Sequence, residues 1–275
     1  MSDTRAFSME LDIDASPEDV WKALTEKGEL VRWFPLNAEV TPGAGGSMRW
    51  SWEESWTWDL RIDGWEPGRR LRLVQDDTPV FDAEGRRLDK QRSPGGVIAL
   101  EFTLEARGGQ TRLRLVHSGF GAAADWDDEY DSISVGWQSE LRSLKHYLER
   151  HRGRDRQVAV VRTSTADSPS AAWRRLTGGE GFALKPAVPR EGEPFEMALP
   201  GGPRYTGRVV LFIPDRAFFG VVPGLGDAQL TLHTHLAEGR TGIQAWLGCW
   251  GCPPRAAEQF RAAAEQAIDQ LAGAR

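Results

Sequence analysis

The segment SPEDVWKALTEKGEL, Ser16 to Leu30, recurs at Ser168 to Phe182 as SPSAAWRRLTGGEGF, with Ser-Pro, Trp, Leu and Thr at the same offsets. Each copy follows a strand-like run, AFSMELDID before the first and RQVAVVRTSTA before the second. A repeated unit of this length constrains the fold strongly, because each copy must bury its own apolar faces within one shared topology. Each copy also closes with an amphipathic helix. In the first, Trp126, Tyr130, Ile133, Trp137, Leu141, Leu144 and Leu148 step by four and three. In the second, Phe260, Ala264, Ala267, Ile268 and Leu271 form a thinner stripe of the same period. The polar, glycine-containing HRGRDR after the first closing helix marks a boundary, giving domains 1–152 and 153–275.

Between opening and closing helices the apolar period is two, the mark of antiparallel strands. Met48, Trp50 and Trp52 share a face, EES turns the chain, and Trp56, Trp58, Leu60 and Ile62 share a face again. Leu71 and Leu73, then Ile98, Leu100, Phe102 and Leu104, then Leu113 and Leu115 continue the alternation. His117 has the parity of Leu113 and Leu115 and is expected to point inward with them.

A strand, two short helices, about six antiparallel strands and a long final helix resemble the helix-grip fold of the START-like (SRPBCC) superfamily. SPEDVWKALTEKGELVRWF and RLRLVHSGF, Arg112 to Phe120, resemble its Aha-like branch, the activators of heat-shock-protein ATPase, over residues 5 to 150. The fold class expected is therefore α+β: two tandem helix-grip domains, each a curved antiparallel sheet wrapped around its last helix. The resemblance implies a cavity between sheet and helix. Residues 154 to 273 resemble the fold more faintly, with ALKP where the first copy has VRWF and no equivalent of HSGF. Nine of the 12 tryptophans precede residue 153, so the first copy is the better candidate for a ligand site.

Trp50, Trp52, Trp56 and Trp58 on one hairpin face are read as a cavity wall. Each indole N–H needs an acceptor, which a cavity supplies through ligand or water. The competing reading is plain core, where most large aromatic side chains reside. Phe102, His117, Tyr130 and Trp137 are expected to join the wall, His117 as a neutral group that orients a ligand. The resemblance places Trp33, in VRWFP, at the cavity mouth. Trp21 and its counterpart Trp173 read as packing anchors.

Other classes are disfavoured. A net charge of −6 opposes nucleic-acid binding. No apolar run approaches the ~20 residues of a membrane span, and the amino terminus has no signal-peptide core. A cytoplasmic protein without membrane insertion is expected. CWGCPP, Cys249 to Pro254, carries the only two cysteines and is read as two small buried residues rather than a redox pair. His233 and His235 are expected opposite Ala245 and Ile243, too far from Cys249 to share a zinc ion. No catalytic residue, metal or cofactor is assigned, since no nucleophile elbow, phosphate loop or dinucleotide fingerprint occurs. The polar insertion Asp76 to Gly96 reads as a solvated excursion. The function expected is binding of a small apolar or aromatic molecule without conversion. Alternatives are a polyketide cyclase-like enzyme and an Aha-like chaperone partner. The latter is weakened because only about a dozen residues precede the first helix motif.

Overall fold

The structure, a computed structural model, describes residues 4–52, 56–91, 96–253 and 255–273. The EES turn therefore lies outside the described residues. The chain divides into two compact units, one ending at Gly153 and one beginning at Arg154, with Phe81–Glu84 grouped with the second. No described helix is long and apolar enough to cross a membrane.

The first domain runs β1 (Thr4–Ile13), α1 (Pro17–Thr25), α2 (Lys27–Leu30), β2 (Asn37–Thr41), β3 (Ser47–Ser51), β4 (Thr57–Glu66) and β5 (Arg70–Gln75). After a small two-stranded ribbon, β6 (Pro79–Phe81) with β7 (Arg87–Gln91), it continues with β8 (Ile98–Arg107), β9 (Gln110–Gly121) and the long helix α3 (Asp127–His146). Its seven-stranded sheet has the order β1-β9-β8-β5-β4-β3-β2, with every neighbouring pair antiparallel. The second domain repeats the plan: β10 (Arg156–Thr165), α4 (Pro169–Thr177), β11 (Pro194–Ala198), β12 (Arg204–Ile213), β13 (Ala217–Val222), β14 (Ala228–Ala237), β15 (Arg240–Trp250) and α5 (Arg255–Gly273). Its sheet order, β10-β15-β14-β13-β12-β11, lacks only a counterpart of β2.

The recurring SP…W…LT segment has one physical role in both domains. Ser16 and Ser168 are N-caps, accepting from the amides of Asp19 at 3.1 Å and Ala171 at 3.4 Å. The proline that follows stands where the helix has no amide partner to lose. The indoles of Trp21 and Trp173 are buried, Trp21 edge-on to Trp65 at 5.0 Å. Thr25 and Thr177 each donate to the carbonyl of that tryptophan, at 2.7 and 2.8 Å. A second shared device is not visible in the repeat itself. Buried Thr111, at the start of β9, donates to the carbonyl of Ala15, and buried Thr241, at the start of β15, donates to that of Asp167, at 2.8 and 2.7 Å. Each threonine thus ties the last strand to the residue just before the N-cap.

Two bulges redirect side chains in the first sheet. The register between β4 and β5 slips between Ile62 and Gly64, so Trp65 pairs with inward-facing Leu71 and reaches Trp21. At the end of β9, Ser118 pairs with Ala6 but Phe120 pairs with Arg5, leaving Gly119 as the extra residue. Gly119 has φ of +97°, and a β-carbon there would collide with the Val97 backbone. The extra residue turns Phe120 inward, where alternation alone would point Gly119.

Two regions depart from what the sequence pattern predicts. The insertion is not merely solvated: Thr78, Val80 and Ala83 are buried, and a β-carbon on Gly85 would stand 3.2 Å from the Trp56 ring. The end of its turn thus lies against the Trp56 ring, just before β4. His233 and His235 pair with Gln244 and Gly242, one residue from the expected register. The cause is a two-residue turn, Glu238 and Gly239, both with positive φ, which sets Ala237 opposite Arg240.

Candidate functional site

Trp50 and Trp58 are direct cross-strand partners on β3 and β4, with ring centroids 6.3 Å apart. Trp52 extends the row, 5.6 Å from Trp58 and 5.0 Å from Trp56. Trp50 and Trp52 are buried, whereas Trp56 and Trp58 are half-exposed. The four indoles therefore pack on one another and grade from interior to surface along the hairpin.

Phe34 is the hub of the group. Its ring lies 5.0 Å from Trp33, 5.0 Å from Trp50, 5.1 Å from Trp52 and 5.3 Å from Trp137 of α3. Trp137 in turn meets Phe102 edge-on at 5.8 Å. Sheet and helix are thus joined by one continuous aromatic network. Phe34 was not singled out from the sequence, although its place beside Trp33 in VRWFP made it readable as a pair. Trp33 itself is not at a mouth. It is 1% exposed, and its indole donates to the Ala23 carbonyl at 2.9 Å, so it is interior scaffold. Its backbone carbonyl accepts from Ser143 of α3 at 3.0 Å, which fixes the helix against this segment.

Tyr130 does not join the indoles directly. Its ring contacts Phe120 at 5.5 Å, its hydroxyl donates to the Ala6 carbonyl at 3.2 Å, and the Arg5 guanidinium lies 5.0 Å above it. It caps a satellite cluster of Ile98, Phe120 and Trp126, linked to the network through Phe120 and His117, whose rings are 4.6 Å apart.

His117 supplies the polarity. It is 1% exposed, lies 6.3 Å from Trp58, and its Nδ1 is 3.1 Å from the indole Nε1 of Trp137. An indole nitrogen can only donate, so Nδ1 must accept. In the neutral ring the proton then sits on Nε2. Burial pushes the imidazole pKa down to about 3, so this neutral tautomer holds at any ordinary pH. Nε2 of His117 and Nε1 of Trp50 are both buried and have no hydrogen-bond partner among the described residues. Ser139 Oγ shares that condition, but it stands two residues beyond Trp137, about 200° round the helix.

In the second domain, Cys249 and Cys252 form a disulfide rather than two separate thiols. Gly251, with φ of +70°, turns the chain and brings their Cα atoms to 5.9 Å, within disulfide range. Among the described residues no three His, Cys, Asp or Glu side chains gather as a metal site.

An antiparallel sheet gripping its final helix around an aromatic interior defines a helix-grip, START-like protein, here in tandem. Residues 14–149 match the model of the family described as Activator of Hsp90 ATPase homolog 1-like protein. Among solved structures, it is similar to protein MLL2253 from Mesorhizobium loti, at 24% identity over 54% of this chain and 99% of that one, with a TM-score of 0.44. The Aha1 dimer from Colwellia psychrerythraea matches at 20% identity over 54% and 99%, with a TM-score of 0.42. The di-domain ARO/CYC BexL of the BE-7585A biosynthetic pathway matches at 15% identity over 96% and 92%, with a TM-score of 0.44. No curated protein sequence matches the chain.

Proposed function

We propose that the first domain binds a small apolar or aromatic molecule between its sheet and α3 without converting it. The observation that carries this reading is the pair of buried, unsatisfied N–H groups, His117 Nε2 and Trp50 Nε1, set in an otherwise aromatic wall. A buried donor without an acceptor costs roughly 1–3 kcal/mol, and a native interior seldom keeps one without a reason. A bound molecule supplies such a reason. Half-exposed Trp58 stands between the two donor-bearing rings and gives the wall an edge at the surface.

A cyclase-like enzyme would need a group to move protons. His117 is unsuited as a base, because Nδ1 is engaged by Trp137 and Nε2 already carries its proton. Chaperone stimulation, which the family description names, is the competing reading; copurification with an Hsp90-type chaperone would favour it.

Titration with a neutral aromatic such as naphthalene, followed by tryptophan fluorescence, tests the binding reading. Saturable quenching is expected, and Trp58→Ala should weaken it by about 2 kcal/mol, roughly thirtyfold in Kd. The same change should destabilise the fold by less than the ~3–5 kcal/mol of a fully buried tryptophan. A large stability loss with no response to ligand would make the group plain core.

A further inference from the structure

We infer that the ligand of the first domain is anchored through an oxygen that only accepts hydrogen bonds, a ketone or quinone carbonyl on an aromatic skeleton. This rests on the binding reading above and adds the anchoring chemistry to it. Both unsatisfied groups on the wall are donors. Trp50 Nε1 has no other capability, and His117 Nε2 is made a donor by the indole of Trp137, which occupies Nδ1. Their rings flank Trp58 at the same centroid distance, 6.3 Å, so the two donors border one stretch of wall.

The chemistry of the complement follows. A carbonyl oxygen has two lone pairs and no hydrogen, so it satisfies one donor or both and leaves nothing of its own unpaired. A phenol or alcohol can accept too, but it brings an O–H that neither of the two unsatisfied donors can receive, and a buried orphan O–H erodes the gain. An amine presents donors to donors. A carboxylate would accept well, but it carries a full charge into a buried aromatic wall, where desolvation outweighs what one or two neutral donors return. The chain of hydrogen bonds from Trp137 through His117 to the ligand also runs in one direction. Each bond polarises the next and strengthens the terminal Nε2–H as a donor.

The test compares matched skeletons differing at one carbon: indane, 1-indanol and 1-indanone, and the larger fluorene, 9-fluorenol and 9-fluorenone. Affinities of the full-length protein are measured by calorimetry. In at least one series the ketone should bind about tenfold more tightly than the hydrocarbon, the size expected for satisfying a buried donor, with the alcohol no more than about threefold better. Trp50→Phe and His117→Phe should each shrink the ketone advantage while hydrocarbon binding persists. Nitrogen-15 NMR of the unmodified protein gives a check that needs no variant to fold. His117 should show a protonated Nε2 and bare Nδ1, and the Trp50 indole proton should move downfield with the ketone and not with the hydrocarbon. If ketone and hydrocarbon bind equally, or Nδ1 carries the proton, the carbonyl inference is wrong while the binding reading stands. If no member of either series binds, both fall.

Discussion

His117 and Leu247 occupy the same place in two copies of one fold. Each lies six residues beyond the threonine that ties the last strand to the helix N-cap, and each is buried on the inner face of that strand. The adjoining hairpins differ in the same sense. The buried partners Met197 and Tyr205 on β11 and β12 stand where the sheet order of the first domain places Trp50 and Trp58. The second domain fills its interior with aliphatic and phenyl groups such as Phe182, Phe195, Leu230, Leu247 and Phe260. The scaffold therefore does not need a histidine at this position, since leucine serves it. Buried polarity in the first domain is an addition to the fold and calls for a separate explanation.

Exchanging the two residues tests the comparison most severely. Leu247→His should destabilise the protein by about 3 kcal/mol or more, through lost apolar contacts and a buried imidazole without designed partners. Urea denaturation would measure it. A loss below ~1 kcal/mol would mean that the second interior also has room for a polar group, and the contrast between the domains would fail.

Acid should next expose the buried imidazole that the first domain adds. The folded His117 titrates at about 3, against 6.5 for an unperturbed histidine. Above pH 6.5 neither folded nor unfolded ring holds the extra proton, and the group has no effect. As pH falls from 6.5 toward 3 only the unfolded chain takes up the proton, so stability is lost across that window, by about 2 kcal/mol at pH 5. His233 and His235, half-buried by surface yet hemmed in by protein, are lowered to about 4 by burial and act in the same direction. The His117 share is isolated by repeating the pH series with His117→Leu, which should flatten the slope by close to one proton. An unchanged slope would mean that His117 is not held neutral.

A smaller effect should be equal in the two copies. Thr111→Val and Thr241→Val each remove one buried hydrogen bond to the residue before an N-cap, and each should cost about 1 kcal/mol. Unequal costs, differing by more than the value itself, would show that the shared device does not bear equally on both domains.

How far the fold was legible depends on the range of the interaction. The N-caps at Ser16 and Ser168 and the inward parity of Trp50, Trp58 and His117 are local, and alternation or a Ser-Pro pair reveals them directly. Parity fails where a bulge intervenes, so Phe120 and Trp65 could not be placed without knowing that Gly119 and the Ile62–Gly64 step break the register. Burial of Val80 and Ala83 in a polar segment depends on neighbours distant in sequence, as does the interior position of Trp33. The disulfide needed the turn at Gly251. The tautomer of His117 was out of reach, because it is fixed by Trp137 on another element 20 residues away.

The smallest expected change in stability is the most informative about function. His117→Leu at neutral pH deletes the unsatisfied Nε2–H, which favours the folded state, and strips Trp137 Nε1 of its acceptor, which disfavours it. These are terms of similar size, roughly 1–3 kcal/mol each, and leucine restores the apolar filling that the second domain already uses at Leu247. The net shift should therefore lie within ~1 kcal/mol of zero, and it should be measured in the absence of ligand so that binding does not mask it. Discrimination between ketone and hydrocarbon should nevertheless fall. Stability kept while recognition is lost is the signature of a group retained for binding. A loss of 3 kcal/mol or more would instead make the Trp137–His117 pair part of the core's own construction, and the difference between the two domains would then be one of packing alone.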